Sequence, residues 1–163
     1  MPDEESYLQV VWDRMVSKKV KDKITNEKSM LISVIICTYR NHRYPDLVEA
    51  INSLLTQNYA NTELIVVVDG NEGLYEKISK NKNIDKIIFH DRNLGLSESR
   101  NKGIKEAKGD IIAFFDDDAV ADENWLKELV KMYKEKEAIA AGGKLLPKWV
   151  TKSRTSCQRN ITG

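Results

Sequence analysis

Long hydrophobic runs are missing from this chain. No apolar stretch approaches the ~20 residues that cross a bilayer, and the acidic start Pro2-Asp3-Glu4-Glu5 is unlike a secretory signal. Cysteine is scarce as well. Cys37 and Cys157 show no Cys-x-x-Cys spacing and Cys37 falls in an apolar run, so free thiols in a reducing cytoplasm are the economical expectation. The two histidines, His42 and His90, stand far apart, which leaves no zinc-ligand pattern. A formal net charge of +1 gives no whole-protein argument for binding nucleic acid or an anionic membrane. What is present is one domain's worth of chain: 163 residues, enough to bury a core without disulfides or a structural metal.

Apolar periodicity divides the chain. Leu8, Val11, Trp12, Met15, Val16 and Val20 recur at roughly helical spacing among Lys and Asp, so residues 1–29 read as an N-terminal helical extension. From Met30 the pattern becomes strand–helix alternation. Leu31–Cys37 and Leu64–Val68 are short β-rich runs of the kind buried on both faces of a parallel sheet. Between them Pro45 opens a helix carrying Leu47, Val48, Ile51, Leu54 and Leu55. A polar helix over 73–81 leads to a strand Lys86–His90. A helix over 97–107 follows, with Ser97 as its expected N-cap and Gly109 beyond its end. A strand over 111–115, a helix over 122–135 and a fifth apolar run, Ala138–Ala141, complete the series. This order predicts an α/β fold, a three-layer α/β/α sandwich around a mostly parallel sheet.

The most informative feature is Asp116-Asp117-Asp118, directly after the apolar run Ile111-Ile112-Ala113-Phe114-Phe115. Three adjacent like charges repel, and a buried carboxylate without a partner is costly. A strand that ends in them either runs straight into water, as an acidic loop or helix start, or holds a divalent cation. Carboxylates suit Mg²⁺ or Mn²⁺, typically one or two of them with substrate phosphates. In open parallel sheets ligands bind beyond the carboxyl ends of the strands. Those ends here carry Thr38-Tyr39-Arg40, Asp69-Gly70-Asn71, Asp91-Arg92-Asn93 and the Asp triplet, so one crevice should gather aromatic, cationic and anionic groups.

Four segments carry a resemblance: Ser33-Val-Ile-Ile-Cys-Thr-Tyr-Arg-Asn41, Ile65-Val-Val-Val-Asp-Gly-Asn71, Asn93-Leu-Gly-Leu-Ser-Glu-Ser-Arg-Asn-Lys-Gly103 and Gly109-Asp-Ile-Ile-Ala-Phe-Phe-Asp-Asp-Asp118. In order and spacing they resemble the inverting family 2 glycosyltransferases of the GT-A (Rossmann-like nucleotide-diphospho-sugar transferase) fold, over residues 31–148. The resemblance implies a nucleotide-sugar-binding domain over 30–148 that uses a UDP- or GDP-linked sugar. It implies transfer with inversion, assisted by Mn²⁺ or Mg²⁺. Thr38 and Tyr39 would flank base and ribose, Asp69 would accept from the base, and Arg100 would sit beside base and phosphates. The triplet would be the Asp-x-Asp motif: Asp118 on the metal, Asp116 shared between metal and ribose, and Asp117 beside the donor. The acceptor would be lipid-linked or a polysaccharide, and the protein cytoplasmic or peripheral at the inner face of the membrane.

Two departures stand out: Cys37 where family members often have Pro, and a single carboxylate in Val68-Asp69-Gly70 where many have two. An inverting transferase also needs a general base, commonly in a later Glu-Asp pair. No Asp or Glu follows residue 148, and residues 149–163 read as a basic, disordered tail. The chain is thus expected to hold the donor half only, with the catalytic base missing. Reverse translation of Thr155–Gly163, read one base earlier, allows Phe-Leu-Pro-Glu-Glu-Tyr-Tyr-Trp, much as similar sequences continue; a frame lost near residue 152 would explain it. Met30-Leu-Ile-Ser-Val is where many similar sequences begin. The alternatives are a non-catalytic nucleotide-sugar-binding module or an inactive gene fragment. A sugar-nucleotidyltransferase would need a Gly-rich loop after the first strand, and a phosphoacceptor receiver would place its acids there; neither fits.

Overall fold

The computed structural model describes residues 29–136 and 140–147. The helix expected over 7–24 and the basic tail 149–163 lie outside them. Four strands form the centre: β1 (Ile32–Thr38), β2 (Thr62–Asp69), β3 (Lys86–His90) and β4 (Ile111–Asp116). A 3₁₀ turn, Asn41–Arg43, leads into α1 (Tyr44–Leu55). The other helices are α2 (Glu72–Ile78), α3 (Leu96–Glu106) and α4 (Trp125–Lys136). The strand order is β3-β2-β1-β4 and every pairing is parallel.

Strands β1 and β2 are apolar along nearly their whole length, because both faces of the sheet are covered. On one face Val34, Ile36, Val66 and Val68 pack with Leu47 and Ile51 of α1, Leu74 and Ile78 of α2, and Leu126 and Val130 of α4. On the other, Ile35, Ile65, Val67 and Ile88 form a smaller cluster with Ala107 and Ile112. Here α3 lies close on the strands: a Cβ added at Gly103 would come within 2.6 Å of Ile35 Cγ2, so only glycine lets the helix in. Burying a Leu or Ile side chain contributes roughly 1.5–3 kcal/mol, and it is these two layers that hold the strand ends in register.

Within the described residues the expected strands and helices between Leu31 and α4 appear, most with shifted ends, and the differences have physical reasons. Ser97 is not the cap of α3; Gly95 is, at φ 89°, and no side chain caps that end. Asn71 instead caps α2, its side chain accepting from Leu74 N–H at 3.0 Å. Of the expected strand Ala138–Ala141 only residues 140 and 141 are described, and they lie in neither strand nor helix; alanine has little β preference to assert without a pairing partner. Among the described residues β4 has a strand neighbour on one side, β1, and Phe114 is half-exposed.

Candidate functional site

The chain steps outward from β1 through β2 to β3, then returns to place β4 on the far side of β1. The gap between the carboxyl ends of β1 and β4 is therefore the switch point where an open α/β sheet binds its ligands. Register brings the residues there: Cys37 pairs with Asp116, Thr38 with Val68, and Asp69 with His90. The Cys37 thiol is pushed up to about 11 by burial, and it also feels the charges of Arg100, Asp69, Asp117 and Asp116. Side chains from β2, α3 and the β4 turn thus surround one point at the end of β1.

The three aspartates have different partners. Asp117 Oδ2 accepts from the buried Thr38 hydroxyl at 2.7 Å, fastening the β4 turn to β1. Asp118 Oδ2 accepts from Arg43 Nη1 at 2.5 Å, and the same nitrogen is 3.6 Å from Asp117 Oδ1. The Asp118 charge, with that of Asp117, raises the already high Arg43 value further. Asp116 is the least engaged: its carboxylate is 69% exposed, with Arg100 Nη2 at 3.9 Å. Arg100 also lies over the Phe114 ring at 5.0 Å, which orients the guanidinium towards the crevice.

Asp69 is tied into the fold around it. Its Oδ1 accepts from Leu94 N–H at 2.9 Å and faces His90 Nδ1 at 3.0 Å, while Oδ2 accepts from Gly95 N–H at 2.8 Å. Burial alone would push its carboxyl up, but these hydrogen bonds from Leu94, His90 and Gly95 outweigh it and hold the carboxyl below its ordinary value. The group is buried, with two of its acceptor positions spent on the loop between β3 and α3 and a third facing His90 at the end of β3. Gly70, next in sequence, has φ 69°, and a Cβ there would fall 2.3 Å from Asn93 N, so the β2 and β3 loops meet backbone to backbone. Tyr39 is half-exposed beneath the Arg40 guanidinium, 4.8 Å from its ring centre, and its carbonyl accepts from Asn71 Nδ2 at 2.8 Å.

The profile of glycosyl transferase family 2 matches residues 33–161. The chain belongs to that family. As a family 2 glycosyltransferase it is 40% identical over 127 residues to the glucosyl-dolichyl phosphate glucuronosyltransferase of Haloferax volcanii, covering 76% of this chain and 41% of the relative. It is 36% identical over 124 residues to an uncharacterised glycosyltransferase of Haemophilus influenzae, covering 74% and 38%. Among solved structures, S. aureus TarS 1–349 superposes with a TM-score of 0.56 at 26% identity, over 76% of this chain and 40% of that one. The mannosyltransferase PcManGT of Pyrobaculum calidifontis, solved with GDP-Man and Mn²⁺, gives 0.59 at 19% identity over 67% and 34%. The fold is the GT-A arrangement, and the chain spans about two fifths of the length of these relatives.

The predicted residues Thr38, Tyr39, Asp69, Arg100, Asp116, Asp117 and Asp118 therefore lie at the ends of three adjacent strands and on the helix beside them. Arg43 and His90 were not anticipated, and Asn71, expected at the crevice, was not foreseen as a helix cap. His90 was legible only through register, since it pairs with Asp69 once β2 and β3 are aligned. No cluster of three or more potential ligands is pre-arranged for a metal among the described residues. The donor chemistry nevertheless fits Mg²⁺ or Mn²⁺, which take one or two carboxylates plus phosphate oxygens, and Asp116 and Asp118 present two solvent-accessible carboxylates.

Proposed function

We propose that this chain is the donor-binding half of a metal-dependent, inverting glycosyltransferase that takes a UDP- or GDP-linked sugar. The observation that carries the reading is the gathering of Arg100, Asp69, Asp116 and Asp117 around the end of β1, at the switch point of the sheet. In this reading Asp118 and Asp116 hold Mn²⁺ or Mg²⁺ together with the diphosphate. When bound, the cation offsets the negative charge that develops on the leaving diphosphate.

The chain's own residues have separate tasks. Asp117 keeps the triplet at the β1 end through Thr38. Arg100, braced on Phe114, supplies a positive charge for the diphosphate. Tyr39 offers an exposed ring against which a base or ribose packs. Asp69 fastens the loop that forms the pocket wall, facing His90 Nδ1 from β3. Donor binding is the activity these residues are expected to support. Calorimetric titration of UDP and GDP, with and without Mn²⁺, tests the reading. Metal-strengthened binding is expected, and Asp118→Ala should remove the metal-dependent part. Equal binding with and without metal, or none for either diphosphate, overturns it.

A further inference from the structure

The arginine on the triplet is supplied by the turn before α1, a segment to which the donor-site reading gives no task. Arg43 closes the 3₁₀ turn Asn41–Arg43, and its guanidinium reaches 2.5 Å from Asp118 and 3.6 Å from Asp117. Asp118 is also the carboxylate proposed above as the metal ligand. Guanidinium and cation therefore compete for one oxygen. Within the triplet three carboxylates face two guanidiniums, Arg43 and Arg100, so the group carries one surplus negative charge. A divalent cation arriving alone would turn that surplus into a net positive charge and detach Arg43 from its partner. A nucleoside diphosphate arriving with it offsets that positive charge, returning the site to net negative, and offers the guanidinium phosphate oxygens, which match its planar donor fork as well as a carboxylate does. Arg100 is placed differently, since it is 3.9 Å from Asp116 and makes no hydrogen bond there.

Resting on the donor-site reading, we infer that Arg43 is an internal counter-ion that holds Asp118 while no cation is bound and passes to the diphosphate when the cation enters. Metal and nucleotide then bind as a linked pair. Arg43 is a positioning residue in this scheme, and its signature is a coupling between two ligands rather than the affinity of either.

The test is Mn²⁺ binding by residues 1–163, read from loss of the free-ion electron paramagnetic resonance signal, without nucleotide and with UDP or GDP. For the unaltered chain, Mn²⁺ alone binds weakly and the nucleotide tightens it. Arg43→Gln should bind Mn²⁺ alone about five-fold or more tightly, and the tightening by nucleotide should shrink by the same factor, because coupling is reciprocal. Arg43→Lys keeps the charge and should stay near the unaltered chain. Lys105→Gln removes an equal charge on the exposed last turn of α3 and should change nothing. An unchanged Mn²⁺ affinity in Arg43→Gln overturns the inference; so does an equal rise in Lys105→Gln or Arg43→Lys. A thermal melt of each variant reports that it is folded. If instead Asp118→Ala leaves Mn²⁺ binding intact, the donor-site reading itself has failed.

Discussion

The two ends of the parallel sheet use carboxylates in opposite ways. At the amino end Glu63 is buried, accepts from the Ser33 hydroxyl at 2.6 Å and from Lys108 N–H at 3.0 Å, and belongs to a closed network in which Ser33 Oγ takes Gly109 N–H at 2.8 Å. Asp110 accepts Leu31 N–H and Asp85 accepts Leu64 N–H there, so strand starts are tied down one by one. At the carboxyl end Asp116 and Asp118 stand 69% and 47% exposed, held by flexible arginines rather than by backbone. A carboxylate bound to backbone N–H groups is committed to the fold, whereas one bound to a guanidinium remains exchangeable for a ligand. Asp69 lies at the ligand end but is committed in the manner of Glu63. A cavity of about 310 Å³ opens at the amino end, lined by Leu54, Gln57, Tyr59, Thr62 and Asp85, and none of the crevice residues borders it. Volume alone would point to the end of the sheet opposite the proposed donor site.

If the contrast holds, substitutions at the two ends should separate stability from binding. Glu63→Ala strands a buried hydroxyl and a part-buried N–H, and should cost about 1–3 kcal/mol in urea unfolding while leaving nucleotide affinity in the folded fraction unchanged. Asp69→Asn is the sharper probe. The new amide must point a donor at Leu94 N–H or Gly95 N–H, so about 1–3 kcal/mol of stability should be lost. A loss of nucleotide affinity with unaltered stability would instead return Asp69 to the base contact expected from sequence.

Smaller effects refine the picture. Asp117→Ala leaves the Thr38 hydroxyl without its acceptor and should cost about 1 kcal/mol of stability, with Mn²⁺ affinity less affected than in Asp118→Ala. The smallest is acid sensitivity. Hydrogen bonds from Lys86 and Lys102 hold Glu106 down to about 2, against an ordinary value of 4.5. A depressed carboxylate stabilises the fold above its unfolded value and stops doing so as pH falls through its folded one. The urea midpoint should therefore drop between pH 4.5 and 2, and Glu106→Gln should flatten part of that drop. Glu106 is screened by solvent, so the flattening should be slight. Asp69 acts in the same direction.

Most of the sheet was legible because burial on both faces leaves an unmistakable record: Lys86–His90 was placed to the residue, and β1, β2 and β4 to within one or two at each end. Thr38, Asp69 and Asp116 could be placed at the carboxyl end of the sheet for the same reason, since each ends a strand, whereas Arg100 lies on α3. Their partners could not. Nothing local tells that Asp69 turns towards Leu94 and Gly95, or that Arg43 crosses 75 positions to Asp118, because those choices are made by tertiary approach. Ser97 had the right chemistry for a cap, but Gly95, fixed by Asp69, starts the helix earlier.

Gly103 has a consequence that reaches beyond packing. With no side chain under it, α3 rests directly on Ile35, and Arg100 sits one turn back on the same helix. The thickness of a single methyl group therefore sets how far the guanidinium projects past the end of the sheet. The helix works as a caliper: its seat on the core is the fixed jaw, and the gap it sets is the width of the charge pair at Asp116. A change made entirely inside the apolar layer would be read out as an electrostatic one, some three residues away, without touching any group that a ligand could meet.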